Sequence, residues 1–307
     1  MNTKRTNGQN PIYYYQFSAF MPRRLLSVFK LYSNEMLKPS IRIVTSILMN
    51  MLVIVYAKIP FNGPLFIQGF LTIFFILLYY RLSDEFKDYE TDIKYFPERP
   101  IPQGKITLGD LNWFIAFVTL MLVLVNSFND KTYLSFSVLF LFAFGMGKWF
   151  FLEKFIAHNR LLAFLTHLPI GFIMTGYLQN LYGQDAWLTK NILLNVMINL
   201  PGLNWEILRK TFPAQLEKPG YQTYSSLLGF RLSILLSMIF VFSISGLQHF
   251  LFGSTQLGSI LIHLINILMT ILLSMILIKK EEIILKNQSW SEIYGMIIFG
   301  LFLMNGL

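Results

Sequence analysis

Nine stretches of mostly apolar residues, each near the roughly 20 that an α-helix needs to cross a bilayer, leave this chain little choice of fold. They fall at 41–59, 62–80, 111–129, 133–151, 161–180, 189–205, 227–247, 256–278 and 290–307. In lipid every backbone N–H and C=O must be satisfied within its own segment, so runs of this length read as spanning helices. Charge is scarce as well: 13% of residues are charged, against about 25% in an ordinary soluble domain, too few to coat a water-facing body of this size. The fold expected is all-α, a polytopic transmembrane bundle of about nine spans over residues 41–307. Residues 1–40 form a cytoplasmic lead-in, in which Arg23, Arg24 and Lys30 interleave with Leu25, Leu26, Val28 and Phe29. That pattern fits an interfacial amphipathic helix or a partly ordered tail. The sixth run carries Asn195, Asn199, Pro201 and Gly202, which predicts a bent helix with polar groups turned toward protein, or a re-entrant segment.

The charges between the runs give an orientation. With alternating crossings, every Lys and Arg except Lys58, Lys131 and Lys190 falls on one side, a strong positive-inside bias. The bias puts the N-terminus in the cytoplasm and, after nine crossings, the C-terminus outside; the setting expected is a bacterial cytoplasmic (inner) membrane. The two longest internal connections, 81–110 and 206–226, then share the cytoplasmic face, where a charged substrate is met. The net charge of +9 is spread between apolar runs rather than gathered on one basic domain, which argues against a nucleic-acid partner. The chain contains no cysteine, which excludes disulfides and thiolate chemistry.

The first connection opens with Asp84, Asp88 and Asp92 at intervals of four, so on a continuing helix the three carboxylates stack along one side. Like charges at that spacing repel. Two readings relieve the repulsion: a hard cation such as Mg2+, which takes oxygen ligands and shares its shell with phosphates, or a solvated acidic face balanced by Arg81, Lys87 and Lys94. Arg99 offers a bidentate fork to a diphosphate and Lys105 a point charge, on a strap stiffened by Pro100, Pro102 and Gly104. The second connection repeats the theme less regularly with Glu206, Arg209, Lys210, Glu217 and Lys218. Tyr79 and Tyr80 end the second run just before the acids. Asn126, Asn195, Asn199, His167, His263 and Asn266 lie inside apolar runs, as cavity-facing groups or as helix-to-helix hydrogen bonds.

The ladder Asp84-x-x-x-Asp88-x-x-x-Asp92, followed by Arg99-Pro-Ile-Pro-Gln-Gly104, resembles the first aspartate-rich motif of the UbiA superfamily of intramembrane prenyltransferases and its Arg-Pro-x-x-x-Gly tail. The resemblance extends over roughly residues 35–307. It implies Mg2+, an isoprenyl diphosphate, an aromatic or lipid-like acceptor and a membrane-embedded cavity in contact with lipid. By the same likeness Asp88, Asp92, Arg99 and Glu206 are catalytic, and Asp88, Asp92, Glu206 and Glu217 hold metal. The substrate is met by Asp84, Lys94, Arg99, Lys105, Arg209, Lys210 and Tyr80. Two positions depart from the pattern: Asp84 stands where the family usually has Asn, and Lys210 stands four residues after Glu206, where it usually has a second acid. The departure points to a divergent branch and leaves open cyclisation of the diphosphate without an acceptor. A carrier with no chemistry is the reading from another class, since polar residues in broken spans also suit transport.

Overall fold

The computed structural model describes residues 21–253, 255–279 and 289–306. The first half of the lead-in, with Lys4 and Arg5, and the connection carrying Lys280 and Lys286 lie outside the described residues. Every described element is helical. In chain order these are α1 (Met21–Tyr32), α2 (Pro39–Tyr56), α3 (Gly63–Lys87), α4 (Tyr89–Tyr95), α5 (Leu108–Asn126), α6 (Tyr133–Gly147) and α7 (Glu153–Ile156). There follow α8 (Arg160–His167), α9 (Pro169–Leu181), α10 (Thr189–Leu208), α11 (Tyr224–Leu228), α12 (Phe230–Phe252), α13 (Leu257–Lys279) and α14 (Ser289–Gly306).

Local chemistry sets the boundaries. Prolines sit in the first turn of α2, α3 and α9, where a missing N–H costs nothing. The Asn62 side chain accepts the Leu65 N–H at 3.1 Å to start α3, and Thr107 and Asp110 close a reciprocal capping box on α5. Arg24 of α1 donates to both oxygens of Asp110 at 3.1 Å, while Val28 and Tyr32 are buried. Thus α1 is fastened to the start of α5 and to the end of α3.

Packing joins the helices into a ring: α2 on α3, α3 on α6, α6 on α9, α9 on α10, α10 on α12, α12 on α13, α13 on α14, and α14 back on α2. The apolar interior falls into two clusters. One is built around Ile73, Ile76, Leu122, Leu139 and Leu178, and the other around Leu194, Ile234, Ile262, Ile298 and Phe302. Helix α2 feeds both, with Val53 in the first and Leu52 in the second.

The expectation of nine spans is corrected. Among the described residues six helices are long and apolar enough to cross a membrane: Pro39–Tyr56, Gly63–Lys87, Leu108–Asn126, Arg160–Leu181, Phe230–Phe252 and Leu257–Ile278. The other three runs form helices that fall short for separate reasons. The run at 133–151 stops as a helix at Gly147, because Trp149, Phe150 and Phe151 adopt left-handed backbone with φ of 51°, 51° and 61°. Helix α10 has the length but carries Asn195, Asn199, Pro201 and Asn204, and it packs against α9, α12 and α14. The final run yields an apolar stretch of only Trp290–Asn305.

Most polar groups inside the runs hold helices together. Tyr177 donates to Asn126 at 2.7 Å and Asn126 to Thr72 at 3.0 Å, joining α9, α5 and α3. Asn195 donates to the Phe172 carbonyl and Asn199 to Thr175. Asn266 donates to Ser245 at 2.7 Å and accepts from Tyr294 at 2.8 Å. His263 lies on α13 with its ring 6.5 Å from that of His249.

Candidate functional site

The charged groups of the two long connections meet at one end of the bundle. Helix α3 carries Asp84 to its last turn, pauses at Asp88 and resumes as α4; the backbone bonds Asp88 N–H to Asp84 O (2.8 Å) and Asp92 N–H to Asp88 O (2.7 Å) keep the four-residue spacing across the pause. The strap turns at Gly104, whose φ of +71° favours glycine, and is pinned by buried Ile101 and Ile106. The second connection is knitted to the first by side chains. Lys218 donates to the Tyr95 carbonyl at 2.8 Å, and the Tyr221 ring lies 5.5 Å from Tyr95 and 5.6 Å from Phe96.

Each expected site acid has a definite placement. Asp84 pairs with Lys87 at 2.8 Å; the Lys87 ammonium also lies 3.2 Å from His167 Nε2 and 4.7 Å from the centre of the Trp149 ring. The left-handed turn at 149–151 therefore closes the mouth on that side. Asp92 is buried, and Arg99 Nη1 lies 2.7 Å from each of its oxygens. Glu206 accepts from Arg209 Nε, from Lys210 at 3.0 Å and from the Tyr224 hydroxyl at 3.3 Å. Glu217 accepts from the hydroxyls of Thr223 and Ser225, which ties it into its own loop. Asp88 is exposed and makes no ion pair within 4 Å among the described residues.

The expected substrate-side groups divide. Arg209 and Lys210 stand together against Glu206, with the Arg209 guanidinium 4.8 Å from the Trp205 ring centre. The Tyr80 hydroxyl is buried without a hydrogen-bond partner among the described residues, one turn before Asp84. Lys94 and Lys105 are exposed, Lys94 over the Tyr95 ring at 4.9 Å. Arg160, Lys87, Tyr221 and Tyr224 join the site without having been singled out for it from sequence. The only sign of Arg160 there was its position at the start of an apolar run on the basic side.

Electrostatics couples the two connections. Although Asp88 reaches the surface, the protein atoms crowded around its carboxyl, and then the Asp84 carboxylate, raise it above the ordinary carboxylate range; Lys87, Lys210 and Arg160 oppose the shift. Burial, then the nearby Arg209 guanidinium, lower Lys210 to about 8, and Arg160 adds to that push. Acids of α3 and bases of α8 and the α10 terminus thus feel one another at a single mouth. A cavity of about 440 Å3 lies elsewhere, lined by Leu228, Gly229, Phe230, Arg231, Leu232 and Leu277.

With this geometry, a helical ring that gathers the acids and bases of two connections at one end, the backbone compares closely with two solved proteins. One is a digeranylgeranylglyceryl phosphate synthase studied in membranes, at 18% identity over 91% of this chain and 99% of that one, with a TM-score of 0.64. The second is a UbiA homologue from Aeropyrum pernix K1 in its apo form, at 12% identity over 85% of this chain and 94% of that one, with a TM-score of 0.63. The fold is UbiA-like. At these identities the likeness speaks for the fold alone. No protein-family model matches the chain, and no curated protein does either.

The UbiA-like frame makes the donor set at the mouth a direct test for a resident cation. Among the described residues no three or more carboxylate or imidazole groups stand together as a metal site. Asp84, Asp92 and Glu206 each lie against a base of the chain itself, and Glu217 is taken up by hydroxyls. A dication needs several uncompensated oxygens; of the acids expected at the mouth only Asp88 has neither an ion pair nor a hydroxyl donor among the described residues, so the side chains as arranged do not fit a resident Mg2+.

Proposed function

We propose that this UbiA-like protein transfers a prenyl group from an isoprenyl diphosphate to an aromatic or lipid-like acceptor, with the diphosphate held at the charged mouth and the prenyl chain among the helices. The observation that carries the reading is the meeting of Arg160, Arg209 and Lys210 with Asp84 and Asp88 at one end of the helical bundle. Likeness to a digeranylgeranylglyceryl phosphate synthase favours the lipid-like acceptor. The basic bias of the connections favours a mouth on the cytoplasmic side of the membrane.

In the reaction the carbon–oxygen bond to the diphosphate breaks, and its electron pair leaves with the phosphate oxygens. Lys210 and Arg209, preset by Glu206, and Arg160, preset by Gln222, stabilise that growing charge; donors aimed at developing charge are worth on the order of 3 kcal/mol each. The acceptor's nucleophilic atom then bonds to the allylic carbon and releases a proton. Asp88, the acid without an ion pair and with a raised affinity for protons, is the acceptor in position at the mouth. Lipid and the surrounding helices exclude water from the cation. The expected Mg2+ has no step here, because the paired carboxylates do not provide its shell.

The test is incubation of the purified protein in lipid nanodiscs with labelled geranyl, farnesyl or geranylgeranyl diphosphate and extracted membrane lipids, with and without Mg2+, followed by mass spectrometry. A prenylated lipid and released pyrophosphate are expected, with both lost in the double variant Arg209→Met/Lys210→Met. Product formed without any acceptor would instead make the protein a cyclase. Accumulation of diphosphate inside vesicles without pyrophosphate release would make it a carrier.

A further inference from the structure

Arg209 and Arg160 come from different parts of the chain and are held in the same way. Arg209 gives its Nε to Glu206. Arg160 gives its backbone N–H to the Gln222 side chain at 3.2 Å and its Nε to the Gln222 carbonyl at 3.3 Å. In both cases the terminal nitrogens of the guanidinium carry no hydrogen bond among the described residues, so each side chain is anchored at its neck with its fork unused. Lys210, on the same Glu206 carboxylate, stands within electrostatic range of both. Three cations so placed repel one another; Glu206 pairs with two of them, and Asp84 and Asp88 act on them only from beyond ion-pair distance.

The acids that would otherwise recruit a dication are already satisfied. To engage two of them, a metal would have to separate Asp84 from Lys87, whose side chain is only 6% exposed, or Asp92 from Arg99, or Glu206 from two bases at once. Taking Asp84 strands the Lys87 ammonium and taking Glu206 strands Lys210, whose side chain is 15% exposed, which is strongly unfavourable, whereas Arg99, a third exposed, turns to water at smaller cost. An anion meets the opposite situation: two guanidinium forks without hydrogen bonds among the described residues, of a shape that suits phosphate oxygens, and an ammonium within electrostatic range of both.

Resting on the diphosphate reading above, we propose that the mouth grips a diphosphate directly through Arg160, Arg209 and Lys210, and that it needs no resident divalent cation to bind it. The position four residues after Glu206, where the sequence resemblance implies a second acid, carries Lys210, so a fixed ammonium stands where a metal ligand was expected.

The experiment is calorimetric titration of inorganic pyrophosphate into the full chain in detergent micelles, in EDTA and in Mg2+, with the thermal transition of every variant recorded. Binding in EDTA within about threefold of that in Mg2+ is expected. Arg160→Met, Arg209→Met and Lys210→Met are each expected to weaken it at least about tenfold, while Arg209→Lys and Lys210→Arg retain most of it. Binding seen only with Mg2+ and abolished by Asp88→Asn would overturn the proposal while leaving the diphosphate reading intact. Absence of binding in both conditions by a chain with an unchanged thermal transition would overturn the diphosphate reading itself.

Discussion

Replacing Arg99 with Met strands the Asp92 carboxylate, and the size of the penalty follows from how unequally the two partners meet water. Asp92 has a side chain 7% exposed and Arg99 one 35% exposed, with Nη1 2.7 Å from both carboxylate oxygens. Removing one partner of a buried ion pair costs about 3–5 kcal/mol, whereas an exposed pair contributes about 1 kcal/mol or less. Discounted for the third of Arg99 open to solvent, Arg99→Met is expected to cost about 2–3 kcal/mol. Asp92→Asn leaves a guanidinium that turns to water and keeps its place 4.2 Å from the centre of the Phe96 ring, for a cost of about 1 kcal/mol. The double variant strands neither charge, so its cost falls short of the sum of the two, with a coupling of about 1–2 kcal/mol. Reversible unfolding in mixed detergent micelles, followed by circular dichroism, measures all four corners of the cycle. Equal costs for the single changes, or a double variant that equals their sum, would refute the assignment of Asp92 as a carboxylate clamped by Arg99.

Three further outcomes are expected. A Cβ added at Gly69 lands 2.7 Å from the Asn50 side-chain oxygen, itself bonded to the Tyr182 hydroxyl at 2.6 Å, so Gly69→Ala forces α2 and α3 apart; a loss of about 1–3 kcal/mol in the same unfolding assay is expected, and an unchanged transition would count against that crossing. Lys210, lowered to about 8, is charged below that pH and loses its charge as pH rises through it. Pyrophosphate affinity therefore declines from about pH 7 to 9 while Lys210→Arg stays nearly level across that range, and an equal decline in both proteins would remove Lys210 from the site. Because the chain has no native cysteine, single cysteines at Lys105, Lys218 and Lys131 report sidedness directly; maleimide in right-side-out vesicles is expected to label only the one at Lys131.

How far the sequence disclosed this protein depends on the range of the interaction concerned. Apolar periodicity and turn chemistry are local, and they located every helix of the ring; the aspartate spacing survived the pause at Asp88 because the backbone bonds on either side remain helical. The number of crossings was overcounted where a long-range effect intervened. Packing on three sides lets α10 carry asparagines that lipid would not tolerate, and nothing in the composition of Trp149–Phe151 announces a left-handed backbone, which costs about 1–2 kcal/mol for each residue. The site was legible by residue type and not by partnership. Asp92, Glu206 and Arg99 read as functional, but their partners lie only seven, three and four residues away, and spacing alone does not say whether such an acid turns to its neighbouring base or to an open mouth. Arg160 escaped notice for a different reason, range, since its anchor is Gln222, 62 positions away.

The seam where α14 meets α2 carries a consequence for biogenesis. Leu52 and Tyr56 belong to the cluster completed by Tyr294, Ile298 and Phe302, so while the ribosome is still making the middle of the chain, one flank of α2 waits among lipids for a neighbour not yet synthesised. The annulus is sealed only once α14 has been made, and an insertion machinery or chaperone that shelters that flank in the interval would raise the yield of correctly assembled protein.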